Sequence, residues 1–198
     1  KDAVNFLVAD TNIENVVIGF RYTEFLFGGQ RDAYPDTPDE DPIERFTEPF
    51  RDHSPDQLRE LYWQSFKEIV SRVRDSGKRV YILYPVPELP MDIQNAAVPF
   101  SVFGGPGVLD LERATTAQYY NLRNRFILDK LDSLPYNEQL IAVKPFEAIC
   151  DDQYCPAIKD GKALYIDDDH VSIYGAELIV NSINLNKMSS TELTTVSQ

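Results

Sequence analysis

The stretch NVVIGF, residues 15–20, decides the fold class. It is a short apolar run rich in β-branched residues, which is typical of a buried strand in a parallel sheet. Two later runs have the same character, RVYILY at 79–84 and QLIAV at 139–143. The segment between the first two strands contains a long helical pattern, and a second helical pattern separates the last two. Alternating strands and helices predict an α/β domain with a parallel sheet flanked by helices.

The clearest helix is predicted to begin after Ser54. Ser54 is a favourable N-cap, Pro55 suits the first turn, and Gln57 completes a capping box. The apolar residues that follow recur at three- and four-residue steps and define one face: Leu58, Leu61, Tyr62, Phe66, Ile69, Val70 and Val73.

Two further helices are predicted. The first runs from about 116 to 131, and its apolar face is predicted to contain Tyr119, Leu122, Phe126 and Leu131. The last helix runs from about Ser172 to 185 and follows the third strand by way of a cysteine-containing loop.

The charge of the chain limits its partners. Its 198 residues carry 32 acidic and 19 basic side chains, for a net charge of −13. A strong negative charge disfavours nucleic acid and anionic membrane surfaces as main partners. No run of about 18 apolar residues occurs, so the sequence predicts no membrane-spanning helix and no direct membrane insertion of this segment.

Two irregular segments, near 28–54 and 88–113, follow the first and second strands. Binding sites of parallel α/β sheets form beyond the carboxyl ends of the strands, and long excursions there are often functional. We therefore expect both segments to shape a cleft. The domain is predicted to cover residues 1–186, followed by a flexible tail at 187–198.

The motif YIDDDHVSIYGA, residues 165–176, places three carboxylates directly before one of the two histidines of the chain. Asp167 and His170 are three residues apart, so at a strand-to-helix turn the carboxylate can orient the imidazole through Nδ1–H and leave Nε2 as a general base. Spacing alone leaves two alternatives open. One is a solvated acidic loop with a surface histidine, and the other is a metal site built from carboxylates and imidazole.

The two cysteines, Cys150 and Cys155, are separated by four residues. This spacing suits a small disulfide loop in an oxidising compartment, or two free thiols in a reducing one. The chain also starts without Met, within an amphipathic segment, so we expect it to be part of a longer polypeptide.

Three separated blocks resemble the SGNH (GDSL-type) esterase family, and most closely the SGNH domain at the C-terminus of acyltransferase family 3 membrane proteins. The segment CDDQYCPAIKDGKALYIDDDHVSIYGA is similar to the family's last block, a cysteine-containing loop followed by Asp-x-x-His. VVIGFRYTEF and ILYPVPELPMD are similar to two strand blocks. The resemblance spans about residues 15–185 and implies an SGNH/flavodoxin-like three-layer fold.

The resemblance also implies roles for individual residues. Asp167 and His170 would be the acid and base of a Ser–His–Asp triad, and the cysteines would form a disulfide. The remaining residues would line the cleft or contact the oxyanion or substrate: Gly19, Arg21, Tyr22, Pro87 and Glu88. For Arg21 the alternative is a structural ion pair. Tyr22, Tyr34 and Phe100 are candidate surfaces for stacking sugars, with ordinary packing as the alternative.

The family's nucleophile lies in a Gly-Asp-Ser block, and no Gly-Asp-Ser occurs in this chain. We expect the first strand and its serine to lie upstream, so that this chain alone is inactive in serine-based acyl transfer. The alternative is a divergent member of the family that has lost the serine. No other serine lies on a convincing nucleophile elbow. Ser54 and Ser172 are explained as helix caps, and Ser101 lies in a loop without the matching context.

The implied function is O-acyl transfer to hydroxyls of a bacterial surface polysaccharide. The resemblance implies no cofactor or metal in this domain, an acyl donor supplied by an upstream transmembrane domain of the same polypeptide, and a periplasmic location tethered to the inner membrane. The alternatives are a carbohydrate O-acetylesterase and an inactive glycan-binding module.

Overall fold

A computed structural model describes residues 2–22, 53–90, 92–93 and 109–183. Most of the two irregular segments, including Tyr34, Phe100 and Ser101, and the whole predicted tail lie outside these ranges. The elements in chain order are α1 (Asp2–Ala9), β1 (Asn15–Ile18), α2 (Pro55–Asp75), β2 (Arg79–Leu83), β3 (Thr115–Thr116), α3 (Ala117–Asp132), β4 (Leu140–Val143), α4 (Pro145–Ile149), β5 (Tyr154–Cys155), β6 (Ile158–Lys159), β7 (Lys162–Ala163) and α5 (Ile173–Ser182).

The three predicted strands form one parallel sheet in the order β1–β2–β4. Val17 pairs with Tyr81, and Tyr81 pairs with Ile141, so the strands are in register across the sheet. The prediction of a parallel α/β sheet is confirmed.

One face of the sheet packs against α2 and α3. Alternate strand residues, Val16, Ile18, Val80, Ile82 and Leu140, enter a single core cluster with buried side chains of both helices. The helical members are Trp63, Phe66, Val70, Val73, Ile127 and Leu131. At about 1.5–3 kcal/mol for each buried large apolar side chain, this cluster supplies much of the free energy that holds the helices to the sheet.

The opposite face of the sheet packs against the C-terminal part of the chain. Tyr81 and Val143 enter a second cluster with Ile149 of α4, Leu164 and Ile179 of α5. Helices on both faces of a parallel sheet make the three-layer arrangement that the sequence predicted. Val17 of β1 points to the same face but is 58% exposed, so this cluster does not cover the β1 end of the sheet.

The predicted caps of two helices are present. Ser54 Oγ accepts from the backbone N–H of Gln57 at 3.3 Å, and the Gln57 side chain accepts from the Ser54 N–H at 2.8 Å. Ser172 caps α5 in the same way, by accepting from the Gly175 N–H. That helix ends at Ser182, earlier than predicted, and Ile183 is already extended.

The predicted apolar face of the 116–131 helix is partly wrong. Leu131 is buried and Phe126 packs against the core, but Leu122 is 64% exposed. The buried side of α3 carries Ala117, Tyr120, Arg123, Asn124, Ile127 and Leu131. Two polar side chains in this stripe, Arg123 and Asn124, obscured its periodicity in the sequence.

Across the described ranges, no helix combines the length and the apolar character needed to cross a membrane.

Candidate active site

The motif at 165–172 forms a tight loop closed by backbone hydrogen bonds. Tyr165 and Val171 form an antiparallel bridge, and Ile166 N–H donates to the carbonyl of His170 at 2.8 Å. Ser172 fixes the end of the loop, because its N–H donates to the carbonyl of Leu164 and its hydroxyl donates to that of Ala163 at 2.7 Å. The carboxylates and the histidine therefore occupy a rigid turn at the start of α5.

Asp167 is the centre of this turn. Its Oδ1 accepts from the backbone N–H groups of Asp169 at 3.0 Å and of His170 at 2.7 Å. Its Oδ2 lies 2.8 Å from Nδ1 of His170. Burial alone would raise the pKa of Asp167, but these hydrogen bonds outweigh it and lower the pKa to about 2. Asp167 is therefore a permanent anion at neutral pH.

His170 is the exposed partner, with 67% of its side chain accessible. The hydrogen bond that it donates to Asp167 and the negative charge of Asp169 raise its pKa above the ordinary value, although partial burial and the positive charge of Arg21 oppose this. Because Nδ1 is engaged by carboxylate, proton exchange with a substrate falls to Nε2. The ring therefore has the arrangement of a general base oriented by an acid.

A second carboxylate, that of Asp169, also contacts Nδ1 of His170. The sequence did not predict this contact. Asp169 Oδ1 is 2.7 Å from Nδ1 of His170, and its side chain is only 6% exposed. Its other oxygen forms an ion pair with the guanidinium of Arg21 at the end of β1. Burial raises the pKa of Asp169 to about 6, because it outweighs the lowering effects of Arg21 and His170.

These groups border a cleft of about 370 Å³ at the carboxyl ends of β1 and β2. Its described lining is largely apolar and contains no serine. The lining residues are Gly19, Phe20, Arg21, Tyr22, Leu83, Tyr84, Pro85, Val86, Glu88, Asp169 and His170. The position agrees with the rule that sites of parallel sheets form beyond the carboxyl ends of the strands.

Two of the predicted cleft residues follow β1 and have clear packing roles. A Cβ on Gly19 would lie 2.9 Å from Cδ2 of Leu83, so glycine permits the close approach of the β1 and β2 ends. Tyr22 is 1% exposed, and its hydroxyl donates to the carbonyl of Leu83 at 2.8 Å. Its ring meets Phe20 and Phe66 edge to face. Tyr22 is therefore buried by packing and does not offer an exposed stacking face.

The other two predicted cleft residues follow β2 and are placed differently from each other. Glu88 lines the cleft and forms an ion pair with Arg123, whose side chain is 3% exposed. Pro87 is fully buried and is not among the described lining residues. The next residue, Leu89, donates its N–H to the carbonyl of Asp168 at 2.7 Å, which fixes the segment after β2 to the histidine turn.

Cys150 and Cys155 are joined by a disulfide. Cys155 is fully buried and pairs with Thr115 in the short antiparallel β3–β5 sheet. The bond closes the loop that follows α4.

Asp167, Asp169 and His170 also have the spacing of a cation site, with one ligand atom from each lying within 4.8 Å of the others. Both carboxylates contact Nδ1 of His170, and Asp169 is also paired with Arg21.

The structure thus combines a parallel α/β sheet with a contact between an aspartate and a histidine beside the carboxyl edge of that sheet. The comparisons with known proteins identify the family. The chain belongs to the SGNH domains that are fused to AT3 (acyltransferase family 3) domains, whose sequence profile matches residues 1–184.

No curated protein matches the chain. Among solved structures, the fold is similar to the periplasmic domain of the lipopolysaccharide acetyltransferase of Salmonella ser. Paratyphi A, with a TM-score of 0.51 and 13% identity. The match covers 92% of this chain and 59% of that structure. At this identity the similarity supports the fold alone.

Proposed function

We propose that this chain is the histidine-bearing part of an extracytoplasmic O-acyltransferase domain that modifies hydroxyls of a bacterial surface polysaccharide. The observation that carries the proposal is the contact of Asp167 with Nδ1 of His170 beside the cleft. Membership of the SGNH family that is fused to AT3 domains supports an acyl-transfer setting. The fold is similar to that of a periplasmic acetyltransferase domain, and we propose a periplasmic location for this chain as well.

The proposed reaction has two steps. A serine hydroxyl attacks the carbonyl carbon of the acyl donor, Nε2 of His170 accepts the hydroxyl proton, and that proton then passes to the departing group of the donor. A sugar hydroxyl next attacks the acyl-serine. His170 accepts the sugar proton and returns it to the serine oxygen as the ester bond to the protein breaks. Asp167 orients the imidazole and stabilises its protonated form throughout.

The serine is proposed to come from a segment outside this chain, because the chain has no Gly-Asp-Ser and no described serine lines the cleft. Among the described strands, β1 is an edge strand that pairs only with β2. A parallel strand added beside β1 would end next to the cleft, and an open edge is a ready template for such pairing. Backbone N–H groups at the end of that strand would stabilise the oxyanion.

Arg21 is proposed to act on the oxyanion only indirectly. Its guanidinium is held by Asp169, so its positive charge lies at the cleft wall beside His170. A fixed cation there favours negative charge developing on the substrate oxygen. Phe20, which the sequence analysis did not single out, lines the cleft and is 44% exposed, so it is proposed in place of the buried Tyr22 as a surface for stacking on a sugar ring.

Product analysis tests this function. The full-length protein is supplied with an acyl donor, with and without the acceptor glycan, and both glycan and free acid are measured by mass spectrometry. The proposal predicts acylated glycan that forms only with acceptor, and little free acid. Release of acid at the same rate without acceptor would indicate an esterase. No turnover of donor, together with glycan binding, would indicate the binding module.

A further inference from the structure

The imidazole of His170 is held by two carboxylates with different surroundings. Asp167 belongs entirely to the turn, since its oxygens bind the turn's own N–H groups and the ring. Asp169 is the more buried of the two, with a side chain 6% exposed against 31% for Asp167. It also reaches out of the turn to Arg21. The two acids are therefore not equivalent.

We infer that Asp169 is a positioning residue for His170. Asp169 connects the imidazole ring to the end of β1 through Arg21, and its negative charge makes His170 a stronger proton acceptor. The catalytic meaning of this inference rests on the proposed function. The chain Arg21–Asp169–His170 links the strand that borders the cleft to the turn that carries the base.

The geometry shows what Asp169 adds to the restraint of the His170 ring. His170 is largely exposed, so few packing contacts restrain the rotation of its ring. A single hydrogen bond to Asp167 fixes one direction, and both groups belong to the same turn. Asp169 adds a second contact on Nδ1 whose other end is fixed on a different element. Asp169 therefore ties the side of the ring that carries Nδ1 to the segment after β1, and the opposite nitrogen, Nε2, is left for a substrate.

The electrostatics agree with this role. The groups that face His170 are Asp167 and Asp169 from its own turn and Arg21 from the end of β1. Glu88, from the segment after β2, lines the same cleft and is paired with Arg123. The hydrogen bond that Nδ1–H of His170 donates to Asp167 raises the pKa of His170, and the negative charge of Asp169 raises it further.

Histidine NMR on the chain itself tests the inference without any catalytic assay. The chain has two histidines, so His53 serves as an internal reference for the titration of His170. The variants are Asp169→Asn, which keeps the shape and removes the charge, and Asp168→Asn as the matched control. Asp168 is exposed, and its described contact to Leu89 uses only its backbone carbonyl.

The expected result is a lower titration midpoint for His170 in Asp169→Asn, a midpoint close to that of the unmodified chain in Asp168→Asn, and no change at His53. The full-length Asp169→Asn protein should also lose roughly 10-fold in kcat with little change in KM. An unchanged His170 midpoint in folded Asp169→Asn would overturn the inference.

A second measurement covers the case in which Asp169→Asn does not fold. In the unmodified chain, the carboxyl carbon of Asp169 should titrate near pH 6 and that of Asp167 near pH 2. The chemical shifts of the His170 ring should change over the pH range in which Asp169 titrates. Unchanged His170 shifts over that range would contradict the inference. Both NMR results remain valid if the full-length protein proves to have another activity. Failure of the inference about Asp169 can therefore be distinguished from failure of the proposed function.

Discussion

Oδ2 of Asp167 lies 2.8 Å from Nδ1 of His170, while Oδ1 of the same carboxylate accepts two backbone N–H groups. One side chain thus shapes the turn and orients the imidazole. The turn lies beside a cleft at the carboxyl edge of the sheet, where a base can reach a substrate held between the strand ends.

Replacing Asp167 by Asn should lower kcat of the full-length protein by about 10³–10⁴-fold. The amide keeps the size of the side chain, but it can offer N–H to Nδ1 and so favour the wrong tautomer. KM for the glycan should change little, because Asp167 is not among the described cleft residues. Steady-state kinetics measure both quantities. A normal kcat in the Asp167→Asn variant would show that Asp167 has no role in the mechanism.

The rate should rise with pH on an acid limb set by His170. A base must be neutral to accept a proton, and the carboxylates beside His170 raise its pKa above the ordinary value of 6.5. The neutral fraction, and with it kcat/KM, therefore increases as the pH passes upward through that raised pKa. A pH–rate profile of the full-length protein checks this. An acid limb with its midpoint at or below pH 6.5 would contradict the raised pKa of His170.

Glu88→Gln should reduce the free energy of unfolding by roughly 2 kcal/mol, because Arg123 is 3% exposed and would lose its carboxylate partner. The matched control is Glu60→Gln, which breaks an ion pair between Glu60, 51% exposed, and Lys130. An exposed pair contributes less than about 1 kcal/mol. Urea denaturation of both variants measures the difference, and equal losses would show that burial of the Arg123 pair is unimportant.

Removing the disulfide by the double change Cys150→Ser and Cys155→Ser should lower the free energy of unfolding by about 2 kcal/mol. The loop is short, with a sequence separation of 5, so its closure restricts the unfolded chain only moderately. Denaturation of the oxidised chain, the reduced chain and the double variant checks this. Equal stability of the oxidised and reduced chains would contradict it.

The sequence predicted the sheet well because its strands are short continuous apolar runs with clear turn signals. The capping box at Ser54 likewise predicted where α2 begins, since both cap contacts are local. The face of α3 was harder to predict. Arg123 and Asn124 are buried on it because distant and backbone groups satisfy them, Glu88 for the first and the Tyr120 carbonyl for the second.

The contact between Asp167 and His170 was the part of the site geometry most open to prediction. A spacing of three residues is a local relationship, so the Asp167–His170 contact was accessible to sequence reasoning. The role of Asp169 was not, because its pairing with Arg21 joins residues far apart in the chain. The only sequence signal was the run of three acids, in which the side chain that pairs with Arg21 cannot be distinguished from its neighbours.

The most direct measurement of the central claim is glycan acylation by the full-length protein carrying His170→Ala, with His53→Ala as the matched control. His53 is exposed and outside the described cleft, and circular dichroism verifies that both variants fold. The account predicts loss of acylation in His170→Ala and normal acylation in His53→Ala. Normal acylation by folded His170→Ala would contradict the assignment of His170 as the base.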